Sequence, residues 1–335
     1  MKTYVSRRMI EIGAYVLASL ILYHLNILLF LFLVPLQVLY ERRGEQAFTE
    51  ATVVFAVAIA VIRLLRITLS DITQAEGVIL GLDLIIPLLL IGGLYAVNIL
   101  WNYFGRKLFT MYAAALIAAS IAIPVGIFIS RRPDIIEYFL EYTKQITAVM
   151  RDSLGSEDIT GTSLGIFLEP KQMIAFIREI ISATFVFLYF FLLSAGWWIG
   201  HEIGVHTSKQ HYKSLPAERF FLPENMIWVF LLSWTAIFID ITIGIGFLKY
   251  AAWNIGLIQL FLYFIQGMGI INHYLEKRKA VKRHRILFYV IVGIFLLWPG
   301  INLAILIGIP GLGISEIWIA HRKVDNNKEK GDNSL

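Results

Sequence analysis

Four polar side chains recur along an otherwise apolar stretch: Gln259, Tyr263, Gln266 and His273. Intervals of four, three and seven residues place them on one side of a helix. Amide and phenol groups hold a solute by hydrogen bonds and break none of its bonds, so the chemistry implied is reversible recognition. Their neighbours Leu257, Ile258, Leu260, Phe261, Leu262, Phe264 and Ile265 are apolar, and apolar walls with a few placed polar groups are what a ligand pocket needs. The competing use is hydrogen bonding between helices, about 1 kcal/mol per bond. One apolar block earlier, Asp240 lies about midway along its segment with Ser233 seven residues before it on the same face. An ionisable group at membrane depth is a functional candidate by default; its plainer use is to pair with a neighbouring helix. Gln259, Tyr263, Gln266 and Asp240 form the candidate ligand-binding set. His273 stands within a turn of the basic cluster Lys277, Arg278, Lys279, Lys282, Arg283 and Arg285 and reads as interfacial.

Other constellations are weaker. His201, Glu202 and His206 resemble a zinc-protease pattern, but the two histidines are five apart where that helix needs four. With His211 beside Lys209 and Lys213, the segment reads as a solvated loop. Gly308, Gly311 and Gly313 follow no strand and are no phosphate loop; Pro310 among them suggests a helix break. The chain has no cysteine, which removes thiolate nucleophiles, thiolate metal sites and disulfides. No spacing supplies a Ser–His, paired-Asp or His–Glu–His arrangement, so neither an enzyme, a cofactor nor a metal is expected.

The elements that carry these residues are apolar helices. The chain is 58% hydrophobic and 16% charged, against about 25% charged in soluble domains, and its mean hydropathy is +0.71. A crossing helix needs about 20 residues. Phe48–Arg66, Val78–Asn98, Leu108–Ile129, Met173–Ile199, Met226–Phe247 and Ala251–Tyr274 meet that length. Ile10–Tyr40 and Ile286–Ala320 are too long for one crossing and short for two. Each has a break near its middle, at His24-Leu25-Asn26 and at Pro299-Gly300, and each reads as a short hairpin. The expected fold is all-α: a polytopic transmembrane helical bundle of six full spans plus short N- and C-terminal hairpins, eight to ten membrane helices in one integral membrane domain over residues 1–324. In that arrangement the short basic loops fall inside at every alternation, as the positive-inside rule requires, with Arg131-Arg132 on the outer face as the exception and both termini cytoplasmic. Arg63 and Arg66 snorkel from the end of their span, and Asp83 sits one turn inside its own.

Between Ser130 and Gln172 the chain is acidic, and Ile135, Phe139, Tyr142, Ile146 and Val149 share a helical face. An amphipathic helix on the outer surface is expected over about 131–172, ending in a mobile loop at Ser153–Ser163. The polar residues 325–335 read as a disordered cytoplasmic tail. Lys2, Arg7 and Arg8 precede an apolar run too long for a signal peptide, so the first segment reads as a retained anchor. The net charge of +5 is spread over interhelical segments and is no sign of nucleic-acid binding.

From Tyr212 onward the chain resembles the uncharacterised bacterial membrane proteins of the YybS type. The resemblance rests on Leu215-Pro216, Phe220-Phe221, Leu222-Pro223-Glu224 with Trp228, on Asn254 with Phe261 to Gly267, and on Gly313, Glu316, Trp318 and Arg322. Pro35 and Arg43-Gly44 fit less specifically. Two positions depart from the pattern: Glu316 stands where Asp is usual, and Ala320 where a second acidic residue is common. The family is distantly similar to the substrate-binding components of energy-coupling-factor transporters. The resemblance implies a bacterial inner-membrane protein with a small-molecule ligand and partner proteins. Two functions follow as expectations: a small-molecule-binding or transport component, or a membrane scaffold that recruits cytoplasmic or envelope partners.

Overall fold

The computed structural model describes residues 2–25, 28–69, 72–100, 107–154, 169–207, 220–279, 281–319 and 321–322. Among them every regular element is a helix. Seven helical segments among the described residues are long and apolar enough to cross a membrane: Arg8–Leu25, Glu45–Leu69, Gln74–Leu100, Lys107–Ser130, Pro170–Thr207, Met226–Ile243 and Leu248–Lys277. The six expected spans are all present. The seventh is the first arm of the N-terminal hairpin, which is long enough to cross by itself. The tail 325–335 and most of the expected loop 153–163 lie outside the described residues. By packing, the chain divides into two compact units, Met1–Ser214 and Leu215–Leu335.

The first unit holds α1 (Lys2–Leu25), α2 (Leu33–Arg43), α3 (Glu45–Leu69), α4 (Gln74–Leu82), α5 (Ile85–Tyr95), a π-helical turn (Ala96–Leu100), α6 (Lys107–Ser130), α7 (Pro133–Leu154) and α8 (Pro170–Thr207). The link between the second arm of the N-terminal hairpin and the next span is a single residue. Gly44 turns the chain at φ +80° between α2 and α3, a conformation glycine adopts without steric cost. Short α2 is the buried centre: Leu33, Pro35, Leu36, Gln37, Val38 and Leu39 are all inside. Its closest neighbour is α8, where Gly196, Gly200 and Gly204 face Leu33, Gln37 and Glu41 in the same order, so the two helices run parallel. A Cβ on Gly200 would stand 2.4 Å from the Gln37 Cβ. Small residues at four-residue spacing allow this approach, which dispersion and interhelical hydrogen bonds then stabilise.

Thr73 and Glu76 form a reciprocal capping box that starts α4. Asp83 ends α4 and pairs with Arg63 of α3, which also donates to the Tyr23 hydroxyl at 3.2 Å. Arg63 therefore ties three helices together where snorkelling was expected. On α7, Ile135 is fully buried while Tyr142 and Val149 are 57% and 65% exposed. The amphipathic helix is present, but its apolar residues divide between the protein interior and the outside. Arg132 braces its first turn through Asp134 at 2.7 Å and holds that carboxyl down at about 2.

The second unit holds α9 (Met226–Ile243), α10 (Leu248–Lys277), α11 (Lys282–Leu297) and α12 (Ile301–Ser315). The C-terminal hairpin turns at Trp298–Gly300, as expected, with Gly300 at φ +90°. Pro310 does not end its helix, because α12 continues through it to Ser315. Lipid-exposed backbone left unpaired by a proline is costly, but here Pro310 is buried where α12 crosses α10. Gly267 faces the Ile309 carbonyl and Gly313 faces the Tyr263 carbonyl, so α10 and α12 run antiparallel with their backbones almost touching.

Candidate functional site: a buried polar centre around Glu41 and His201

The polar seam expected on α10 is real as geometry, and its members have different tasks. Gln259, Tyr263 and Gln266 are all buried. Gln266 uses both ends of its amide on backbone: Oε1 accepts from Leu222 N and Nε2 donates to the Gly313 carbonyl, each at 2.9 Å. It is a clasp that joins the chain entering α9 to α12. Gln259 Nε2 lies 3.8 Å from the Met226 sulfur. The Tyr263 hydroxyl is buried with no hydrogen-bond partner among the described residues, and Phe230 meets its ring edge-on at 5.5 Å. Asp240 stands three residues from the end of α9, nearer the terminus than the hydropathy suggested. Its Oδ1 accepts from Ile245 N at 3.0 Å, closing the turn into α10.

A second polar centre, in the first unit, gathers residues that the sequence scattered. His201 was expected in a solvated loop; instead α8 continues through Thr207 and buries it, 6% exposed. Its Nδ1 lies 2.8 Å from Glu41 Oε1, and both side chains are under 10% exposed. Gln37 Nε2 donates to the same carboxylate oxygen at 2.8 Å. Asn98, on the π-helical turn, donates from Nδ2 to Gln37 Oε1 at 2.6 Å, and the Trp197 indole donates to Asn98 Oδ1 at 3.3 Å. Tyr40 closes the ring of contacts by donating to the Asn98 backbone carbonyl at 3.0 Å.

The direction of this chain follows from its first member. An indole N–H can only donate, so the Asn98 oxygen must face Trp197 and its NH₂ must face Gln37. The Gln37 oxygen then faces Asn98, and its NH₂ faces Glu41. Glu41 Oε1 is left as the acceptor of the line, and His201 Nδ1 donates to it. With Glu41 ionised, the imidazole carries its proton on Nδ1. Nε2 is buried and has no partner among the described residues.

Packing holds the ring in place. Imidazole and indole stack at 5.1 Å with 9° between their planes, and the Lys107 side-chain nitrogen lies 4.6 Å from the indole centroid. The centre thus combines a carboxylate, an imidazole and an ammonium at the ends of three helices. Removing such ions from water costs roughly several kcal/mol each. Their mutual attraction and the directed hydrogen bonds offset that cost.

The signal for this centre was present but distributed. Gly196-x₃-Gly200-x₃-Gly204 is a close-packing stripe, and His201 directly follows one of its glycines. A π-helical turn, which often marks functional positions, is not visible in a hydropathy profile. Among the described residues no group of three or more His, Cys, Asp or Glu is arranged to hold a metal ion.

The second unit has a buried ion pair of its own. Arg322 binds Glu316, donates to the Phe220 carbonyl at 3.2 Å and lies 4.0 Å from the Phe221 ring centroid. These are residues that carried the family resemblance, and their shared task is to close this unit.

Multiple apolar helices with buried polar clasps define an integral, polytopic helical membrane protein whose outer faces contact lipid. Residues 14–310 match a family described as predicted membrane protein, DUF2232, and the chain belongs to that family. No curated protein and no solved structure matches the chain.

Proposed function

We propose that this protein is a small-molecule-binding or transport component of the bacterial cytoplasmic membrane, and that the Glu41–His201 centre is its working site. The observation that carries the reading is a buried carboxylate–imidazole pair, with an ammonium beside it, inside a lipid-facing bundle. Hydrophobic residues of similar volume would satisfy packing at lower cost, whereas ion and solute pathways need ionisable groups inside the bundle. The exposed basic residues Arg278, Lys279 and Arg283 support a cytoplasmic side at the α10–α11 junction and, with it, the reading that both termini are cytoplasmic. The motif resemblance to YybS-type proteins, and through them to transporter components, supports the same reading.

The residues named from the sequence keep a place in it. Tyr263 and Gln259 offer a phenol and an amide to a ligand group entering between α9 and α10, while Gln266 holds the backbone one turn away and Asp240 closes the distant α9–α10 turn. Native mass spectrometry of the full chain, extracted in mild detergent from its host, tests the function. A stoichiometric small adduct that Glu41→Gln removes supports a solute component. Mass-clean protein that co-purifies with a stoichiometric polypeptide overturns it in favour of a scaffold, which the exposed basic α10–α11 junction would serve.

A further inference from the structure

We infer that the turn between α10 and α11 binds the headgroup of an anionic phospholipid through Lys277, Arg278, Lys279 and Arg283. The inference concerns the second unit and is independent of the solute reading, which rests on the first.

Several cations of this chain are matched by carboxylates. Arg8 pairs with Glu50, Arg43 with Glu11, Arg63 with Asp83, Arg132 with Asp134 and Arg322 with Glu316. The α10–α11 turn breaks that habit. Lys277, Arg278, Lys279 and Arg283 are exposed, and none has an acidic partner among the described residues. The adjacent carboxylate, Glu276, lies 3.8 Å from Arg285 instead. Four like charges within seven residues repel one another, and an anion set among them relieves the repulsion. The backbone adds to the same field. Val281 at the N-cap of α11 has no side-chain acceptor, so the first N–H groups of that helix keep the positive end of its dipole uncapped.

Lys279 holds its charge at the tip of the turn against the preference of the backbone. Its φ is +54°, the single positive value for a non-glycine among the described residues. Glycine would adopt this conformation without steric cost.

Depth decides which anion the patch meets. Val281 in the turn and Leu287, Val290 and Ile294 along α11 are more than half exposed. In a membrane-spanning bundle, such apolar side chains face acyl chains. Leu287 follows Arg283 by four residues, about 6 Å along the helix axis. The cations therefore stand at the edge of the hydrocarbon layer, where lipid phosphates lie and where basic clusters beside a span attract anionic lipid. A soluble anion could satisfy the charges alone. A phospholipid satisfies both features, with its phosphate among the cations and its acyl chains along α11.

The test titrates the delipidated full chain in neutral detergent with phosphatidylglycerol or with phosphatidylcholine of the same acyl chains, and counts lipid adducts by native mass spectrometry. The expected result is a first phosphatidylglycerol adduct that binds more tightly than phosphatidylcholine, with a preference that weakens in high salt. Changing Lys277, Arg278, Lys279 and Arg283 together to Gln should abolish the preference, whereas Lys171→Gln with Arg178→Gln, at exposed positions on α8, should leave it. Lys279→Gly alone should lower it roughly fivefold, the share of one basic residue near an anionic surface. The same substitution relieves the backbone and should raise the unfolding midpoint, so loss of lipid cannot be ascribed to misfolding. Equal binding of the two lipids, a preference that survives the fourfold change, or one that the α8 control also abolishes overturns the inference. Displacement of the adduct by inorganic phosphate at matched concentration overturns it in favour of a soluble anion. Displacement by a co-purifying polypeptide overturns it in favour of a protein-docking surface.

Discussion

Replacing Gly313 with Ala places a methyl group against backbone that has no room to yield. The new Cβ would lie 2.2 Å from the Tyr263 carbonyl oxygen and 3.0 Å from Gly267 N. An ordinary contact begins near 3.4 Å, so α12 must withdraw from α10 by about 1.2 Å. If the shift falls along the Gln266 Nε2 bond to the Gly313 carbonyl, that bond lengthens from 2.9 Å to about 4.1 Å, beyond hydrogen-bonding range. Overpacking costs about 1–3 kcal/mol and the lost bond about 1 kcal/mol, for a total of about 2–4 kcal/mol. The same helix supplies its own controls. Gly308 and Gly311 have nothing within 4 Å of a built Cβ, so alanine there should stabilise by roughly 0.5–1 kcal/mol through helix propensity alone. Reversible unfolding in mixed detergent–SDS micelles, read by far-UV circular dichroism, measures all three variants. If Gly313→Ala is as stable as Gly311→Ala, the α10–α12 contact is not where the structure puts it.

Other perturbations separate framework from function. Gln266→Leu strands the Leu222 N–H and the Gly313 carbonyl and should cost about 2 kcal/mol in the same unfolding assay; unchanged stability would show that the clasp is not formed. Arg322→Ala leaves Glu316 buried without its counter-ion, in a pair whose side chains are 3% and 6% exposed, and should cost about 3–5 kcal/mol. A loss below 1 kcal/mol would mean that water reaches the pair. Just before α7, Arg132→Ala should release the Asp134 carboxyl from about 2 towards its ordinary value of 3.8, read by carboxyl ¹³C NMR. Folding depresses this group, so the stability it contributes is present above the ordinary carboxylate range and is lost as pH falls through about 2. An unchanged titration would exclude the bridge.

The spans were legible in the sequence because hydropathy and length are local properties. The lipid core demands about 20 apolar residues with internally satisfied backbone, whatever the rest of the chain does. The hairpin turn at Pro299-Gly300 and the burial of Gln259, Tyr263 and Gln266 follow from the same local reasoning, since period and polarity suffice to predict them. The continuation of α8 past Ile199 was not legible. Glu202, His206 and the lysines beyond look like solvated loop by composition, and only the α2 surface opposite Gly200 and Gly204 makes burial of His201 favourable.

Partner choice is where one-dimensional reading ends. Asn98 meets Gln37 from 61 residues away, and His201 meets Glu41 from 160. A periodicity argument shows that Gln266 faces inward without showing that its two amide groups already hold Leu222 and Gly313. The same argument places Asp240 on a buried face, but whether it meets a ligand or closes a turn depends on where the helix stops, at Gly244. The sequence by itself determined the solvent of this protein, six of the seven segments long enough to cross and the faces that must be inside. Only the tertiary structure decided which buried polar groups satisfy one another and which buried polar atoms have no partner among the described residues. The reason is physical: transfer into lipid is a sum over single residues, while a hydrogen bond requires two groups brought within about 3 Å, which folding alone does.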